Sequence, residues 1–217
     1  MKRFRIIYFL MVFSLLYMSC SKEDSDNYYS VLGTVEKTGD NILIISDDDE
    51  RLLINNKSMV GSLIDEDRVI AYFTMVDVVE PEGVDYVIDI YSYTKVVFKP
   101  VIVLTPQIAD SIGNDPLDIS DIWVAKDYLN VDFNYYGGSA GIKHYINLIR
   151  YPGEISTDTI DLEIRHNDNS DSQGYLLRGF VTFDLSSLKN PGDSVVLRIK
   201  AKEISPPDFD QHLVYKF

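Results

Sequence analysis

Cysteine is almost missing from this 217-residue chain, which has one, Cys20. A single thiol cannot close an internal disulfide, so no disulfide framework supports the fold. Histidine is nearly as scarce: His144, His166 and His212 show neither H-x-H nor H-E-x-x-H spacing, which argues against a resident transition metal. Basic side chains are outnumbered, 20 against 34 acidic ones, for a net charge of −14. Binding to phosphate backbones needs a basic footprint. The nearest approach to one, Arg198, Lys200 and Lys202, has period two and reads as the solvent face of a strand whose other face is Val195, Leu197, Ile199 and Ala201. No nucleic-acid partner is therefore expected. Long apolar runs are also lacking beyond the N-terminus. Since about 20 apolar residues are needed to cross a bilayer, the mature chain is expected to have no transmembrane helix.

The N-terminus itself is informative. Lys2, Arg3 and Arg5 precede an apolar run over 6–18 that only Ser14 interrupts, the pattern of a secretory signal. The run ends in Tyr17-Met18-Ser19-Cys20, which resembles a bacterial lipobox with Tyr17 at the usual Leu position. That resemblance implies removal of residues 1–19 and attachment of a diacylglycerol to the Cys20 thiol, with further acyl chains such as palmitate. Each buried CH₂ contributes about 0.8 kcal/mol, and stable anchoring takes more than one chain. Residues 20–27 then form an acidic tether. Its Lys22, Glu23, Asp24 and Asp26 resemble the export signal that many Bacteroidota lipoproteins carry beside the lipidated Cys. The expected location is the outer membrane, lipid-anchored and facing the cell surface, with a periplasm-facing position as the alternative. An acidic chain is repelled by anionic lipid, so the membrane partner is reached through the anchor at Cys20.

Two β-domains are expected to follow. Residues 28–99 read as five strands (29–35, 42–45, 52–54, 69–78 and 85–98) rich in β-branched and aromatic residues, with turns at Gly39-Asp40, at 47–50 and at Pro81-Glu82-Gly83. Five strands in so short a span suit a small barrel of the OB type. Residues 100–217 alternate more cleanly: Leu129, Val131, Phe133 and Tyr135 oppose Asn130, Asp132, Asn134 and Tyr136, and Leu162 and Ile164 oppose Asp161, Glu163 and Arg165. Leu177, Val181, Phe183 and Leu185 form a further face. One packed and one solvated face predict an antiparallel β-sandwich. Residues 142–149 also fit helical spacing, but their shortness favours a strand. The fold class is all-β.

The lipobox and tether, the five-strand first domain, and the runs Asp121-Ile122-Trp123, Asp127-Tyr128-Leu129-Asn130-Val131, Lys143-His144-Tyr145-Ile146-Asn147-Leu148 and Phe183-Asp184-Leu185-Ser186-Ser187-Leu188 together resemble the NigD-like lipoproteins. The resemblance implies an N-terminal OB-type domain and a C-terminal β-sandwich. It also implies a bacteriocin-associated immunity or accessory role, and it attributes no catalytic residue to the family.

Three stretches carry residue types that chemistry uses. Gly137-Gly138-Ser139-Ala140-Gly141 matches G-x-S-x-G, where a strained strand-to-helix turn lifts Ser toward a base, and the three histidines are available bases. Strand-like runs on both sides favour a glycine-rich hairpin loop, so a serine hydrolase using Ser139 stands only as an alternative. Asp47, Asp48, Asp49 and Glu50 form a carboxylate run that could attract Ca²⁺. Residues 167–171 offer oxygens at alternate positions, but Ser172 stands where an EF-hand glycine belongs and no Glu follows at the required distance. Both stretches read more simply as polar turns, and neither a metal nor a cofactor is expected. The remaining feature is aromatic surface: on the last barrel strand Tyr91 and Tyr93 share a face with Val87, Asp89 and Lys95, opposite Tyr86, Ile88 and Ile90. Exposed Tyr anchors protein and sugar contacts well, and the simpler alternative is that these rings pack across to the second domain. The expected function is a non-enzymatic interaction module of the cell envelope, binding a protein, peptide or glycan.

Overall fold

A computed structural model describes residues 27–138, 141–153 and 155–217. Cys20, Lys22, Glu23, Asp24, Asp26 and Ser139 lie outside the described residues.

The first region is a barrel of β1 (Tyr28–Thr38), β2 (Asn41–Ser46), β3 (Arg51–Ile54), β4 (Arg68–Met75) and β5 (Tyr86–Lys95), closed in the order β1-β2-β3-β5-β4. This is the five-stranded Greek-key arrangement of the OB type. Gly39, at φ +59, provides the left-handed position that the two-residue β1–β2 turn requires. β1 pairs with β4 through its first half and with β2 through its second, and Gly33 belongs to both ladders. A Cβ at Gly33 would come within 2.5 Å of Ile44, so this close approach needs glycine. Alternation directs Leu52 and Ile54, Val69, Ala71 and Phe73, and Ile88 and Ile90 inward, while Val60 and Leu63 enter from the β3–β4 connection. Each of the Val, Leu, Ile and Phe side chains, fully buried, contributes about 1.5–3 kcal/mol.

The second region is a sandwich. Its strands are β6 (Val97–Pro100), β7 (Ile102–Val103), β8 (Asp118–Ala125), β9 (Tyr128–Gly137), β10 (Tyr145–Arg150), β11 (Thr159–Asn167), β12 (Tyr175–Asp184), β13 (Ser194–Ala201) and β14 (Phe209–Lys216). One sheet has the order β14-β13-β11-β10-β7 and the other β6-β12-β9-β8. Leu129, Val131, Phe133, Val181 and Phe183 from the four-stranded sheet meet Leu148, Leu162, Ile164, Leu197 and Ile199 from the five-stranded one. The residues that also fit helical spacing form strand β10. Hairpin-related neighbours are antiparallel, but β11–β13, β10–β7 and β12–β6 are parallel. Parallel pairing follows from the crossovers: the chain leaves β11, builds β12 in the opposite sheet, and returns as β13.

The span read from sequence as one strand over 85–98 is two. β5 ends at Lys95, Val96 donates its N–H to the Arg68 carbonyl at 2.8 Å, and β6 pairs with β12 of the sandwich. The last barrel strand thus runs almost directly into the second region. The barrel meets the outer face of the four-stranded sheet at β9, where Thr34 and Arg68 reach Tyr128 and Asn130.

Candidate functional site

The aromatic surface arises from three adjacent barrel strands, β1, β4 and β5. Tyr72 pairs with Ser92 and Phe73 with Ile90, so Tyr91 is an extra, unpaired residue in a β-bulge. The extra residue reverses the alternation beyond it. Tyr91 itself stays on the outer face that its alternation with Ile90 gives it, where its ring lies edge-on to Tyr28 at 5.2 Å and 6.1 Å from Tyr72. Tyr28, Tyr91 and Tyr72 remain 66%, 47% and 39% exposed. Tyr93, read from sequence as sharing the Tyr91 face, instead turns toward the barrel core and hydrogen-bonds Ser62. No sequence signal marks the bulge. Tyr28 and Tyr72, missed by sequence reasoning, complete the patch because β1 and β4 pair there. Beside it, Asp132 of β9 holds the guanidinium of Arg178 on β12 above its usual pKa by hydrogen bonds and charge, and the phenol of nearby Tyr72 adds to the effect.

The carboxylates at 47–50 lie at the junction between barrel and sandwich. Arg68 Nη1 and Nη2 donate to the Asp47 carboxylate at 2.7 and 3.1 Å, and the guanidinium stacks 4.2 Å from the centre of the Tyr128 ring. Asn130 Nδ2 donates to Asp47 at 3.0 Å, while Asn130 Oδ1 accepts from Arg68 and from Thr182. Lys126 pairs with Asp49 at 2.6 Å and donates to the Ser46 carbonyl. Asp47 and Asp49 thus neutralise protein cations across the junction, leaving the stretch poorly suited to Ca²⁺.

Folding brings two of the three histidines together. His144 Nδ1 lies 2.9 Å from His166 Nε2, His144 Nε2 lies 3.2 Å from Asp171 Oδ2, and His166 Nδ1 lies 3.3 Å from the Pro116 carbonyl. With His166 donating to Pro116 and accepting from His144, the contact to Asp171 becomes a hydrogen bond only when His144 carries a second proton. Burial, and then the neighbouring His144, pull the His166 pKa below its ordinary value against the Pro116 carbonyl, Asp115 and Asp168. His212 is elsewhere, on edge strand β14 opposite Arg198. Asp171 also accepts from the Gly138 N–H at 2.8 Å.

The glycine-rich segment leads from β9 to β10, which lie in different sheets, so it is an inter-sheet crossing rather than the hairpin loop read from sequence. The element after it is a strand, not the helix that a nucleophile elbow requires. In 167–171, Asn167 and Asp168 accept from the N–H groups of Asn169 and Ser170, forming Asx turns. Among the described residues, no group of three or more His, Cys, Asp or Glu is arranged to hold a metal.

A closed five-stranded barrel followed by a two-sheet sandwich, joined by a buried polar clasp and carrying an exposed tyrosine cluster, defines an all-β protein of barrel-plus-sandwich architecture. Residues 100–208, half of the chain, match the NigD-like C-terminal beta sandwich domain. The chain belongs to the NigD-like family. No curated protein matches it. Among solved structures, it is similar to a Parabacteroides distasonis protein named as toxin-related, at 25% identity and TM-score 0.75, over 88% of this chain and 94% of that one. A NigD-like immunity protein from Bacteroides caccae is 22% identical with TM-score 0.62, covering 87% and 91%. A Bacteroides fragilis protein named as a lipoprotein is 11% identical with TM-score 0.68, covering 88% and 99%. The last two likenesses concern the fold.

Proposed function

We propose that this chain is a non-catalytic interaction module of the bacterial cell envelope, held by lipid at Cys20 and contacting a protein, peptide or glycan partner through Tyr28, Tyr72 and Tyr91. The observation that carries the reading is the exposed ring cluster: Tyr91, unpaired in the bulge, lies against the exposed rings of Tyr28 and Tyr72. Rigid aromatic side chains with a polar tip give large contact area at low entropic cost. Glu23, Asp24 and Asp26 direct the anchored protein to the outer face of the outer membrane, as the lipobox and acidic tether suggest. Among the described residues no helix is long and apolar enough to cross a membrane, which agrees with a lipid anchor without establishing one.

Crosslinking on intact cells followed by pull-down tests the surface. Tyr91→Ala should lose at least about tenfold of the captured partner, the effect of losing a central aromatic contact of about 1.4 kcal/mol or more. Equal capture by wild type and variant would refute this patch as the contact surface. The name of the 25% identical relative supports a second reading, an immunity or accessory role toward a bacteriocin. Challenge of a deletion strain with bacteriocin distinguishes it, since only that reading expects increased killing.

A further inference from the structure

At one edge of the sandwich, where β6 and β12 face β10, a half-open cavity of about 260 Å³ lies between the two sheets. Phe133, Tyr135, Tyr145, Ile146 and Phe180 give it a largely apolar and aromatic wall, and its basic members are Lys99 and His144, whose ring nitrogens are engaged with His166 and Asp171. Gly179 forms part of the floor: a Cβ there would come 2.4 Å from Phe133 Cζ, so glycine lets the ring lie flat against β12.

Lys99 is held unusually for a lysine that is partly withdrawn from water. Its Nζ crosses from β6 to the other sheet and donates to the Ile146 carbonyl at 2.7 Å and to Asn147 Oδ1. Both acceptors are neutral, and among the described residues no carboxylate lies within ion-pair distance of it. Burial accordingly lowers its pKa. An ammonium has three N–H donors, so one remains for a further acceptor. A cavity of roughly 150 Å³ accommodates benzene, and this one is large enough for an aromatic ring with a short acidic arm.

We propose that this cavity binds a small aromatic carboxylate, with its ring against Phe133, Tyr135 and Ile146 and its carboxylate on the free N–H of Lys99. The two parts of the site match the two parts of such a ligand. The carboxylate supplies the charge partner that Lys99 lacks, and a hydrogen bond between charged groups is roughly twice as strong as one between neutral groups. The site is separate from the tyrosine patch, and the inference does not depend on the patch being a contact surface.

Calorimetric titration of the full chain with phenylacetate, and with phenylacetamide as its uncharged counterpart, tests the proposal. Phenylacetate should bind about tenfold more tightly than the amide, a difference near 1.4 kcal/mol. Lys99→Met should remove that preference, weakening phenylacetate far more than the amide, whose carbonyl loses only a single hydrogen bond. Val97→Trp, at an exposed position on the cavity rim, should weaken both ligands without altering the core. Absence of binding at millimolar phenylacetate, equal affinities for acid and amide, or undiminished acid preference in Lys99→Met would each overturn it. The acid-to-amide ratio in the wild type and the Val97→Trp response stand even if Lys99→Met does not fold.

Discussion

Arg68 and Lys99 are both drawn away from water close to where the barrel joins the sandwich, yet Arg68 meets a carboxylate and Lys99 meets only neutral oxygens. Arg68 is 2% exposed and uses its planar fork on both oxygens of Asp47, with Thr34 at 3.1 Å and the Tyr128 ring completing its surroundings. A guanidinium suits this fixed, two-pronged geometry, whereas an ammonium is a compact charge whose donors can be redirected. The Arg68 cluster is closed and structural. Lys99 ties two sheets together while its charge remains uncompensated beside a cavity, and that difference separates a group that holds the fold from one that can serve a ligand.

Removing one partner tests the closed side of the comparison and has the largest expected effect. Asp47→Ala leaves the Arg68 charge buried and unpaired, and also takes an acceptor from Asn130. The expected loss is about 3–5 kcal/mol, read as a lower denaturant midpoint. Replacing both partners with apolar residues of similar size, Arg68→Met with Asp47→Leu, should recover most of that loss, because no charge is then stranded. A double variant as unstable as Asp47→Ala would indicate that the clasp's shape rather than its charge balance joins the two regions.

His166 provides an intermediate case, a buried titratable group held near neutrality. Its pKa is depressed below 6.5, burial first among the causes. Above that value neither the folded nor the unfolded chain carries the proton, and this group's contribution to stability is complete. As pH falls below it, the unfolded chain takes up a proton that the folded chain resists, so stability declines by at most about 1.4 kcal/mol per pH unit. In His166→Gln that part of the acid slope should vanish while slopes from carboxylates persist. Identical slopes from pH 6.5 downward in wild type and variant would show that His166 takes up its proton in the folded state as readily as in the unfolded one.

The strand pattern was legible because alternation reports which face is buried, and Leu129, Val131 and Phe133 point inward as their spacing requires. β8 and β14 are not legible as strands in the sequence: Asp118–Ala125 mixes polar and apolar residues without a steady period, and β14 is an edge strand with several exposed positions. Period two fails at Tyr93 for a different reason, since the bulge at Tyr91 is a property of the β4–β5 pairing and not of β5 alone. The polar clusters were still less readable. Asp47 reads in the sequence as part of an acidic turn, and nothing there marks Arg68, just before the strand expected over 69–78, as its partner; barrel closure and docking place both against Asn130. Likewise His144 and His166 are joined only because β10 and β11 pair, with Ile146 opposite His166.

The smallest effect belongs to Lys99→Met, which tests the open side of the comparison. Losing the ammonium strands no carboxylate and relieves the cost of withdrawing a charge from water. Against this, the Ile146 carbonyl and Asn147 side chain lose a donor, at about 1–3 kcal/mol for a fully buried polar group, although water entering the adjoining cavity can replace it. The two contributions oppose each other, so stability at neutral pH should change by no more than about 1 kcal/mol. Alkaline pH gives the sharper reading. Burial depresses the Lys99 pKa below 10.5, so on approach to that value the folded chain has released a proton that the unfolded chain still binds. That imbalance makes the Lys99 contribution more favourable as pH rises, and the gain should be missing from Lys99→Met in unfolding curves collected from neutral pH to 10.5. Differences between the two chains cancel the opposing effect of Tyr215, whose pKa burial and its hydrogen bond to Asp127 raise. A loss of several kcal/mol at neutral pH would place Lys99 beside Arg68 as a structural tie, and the distinction between the closed and the open cation would fall.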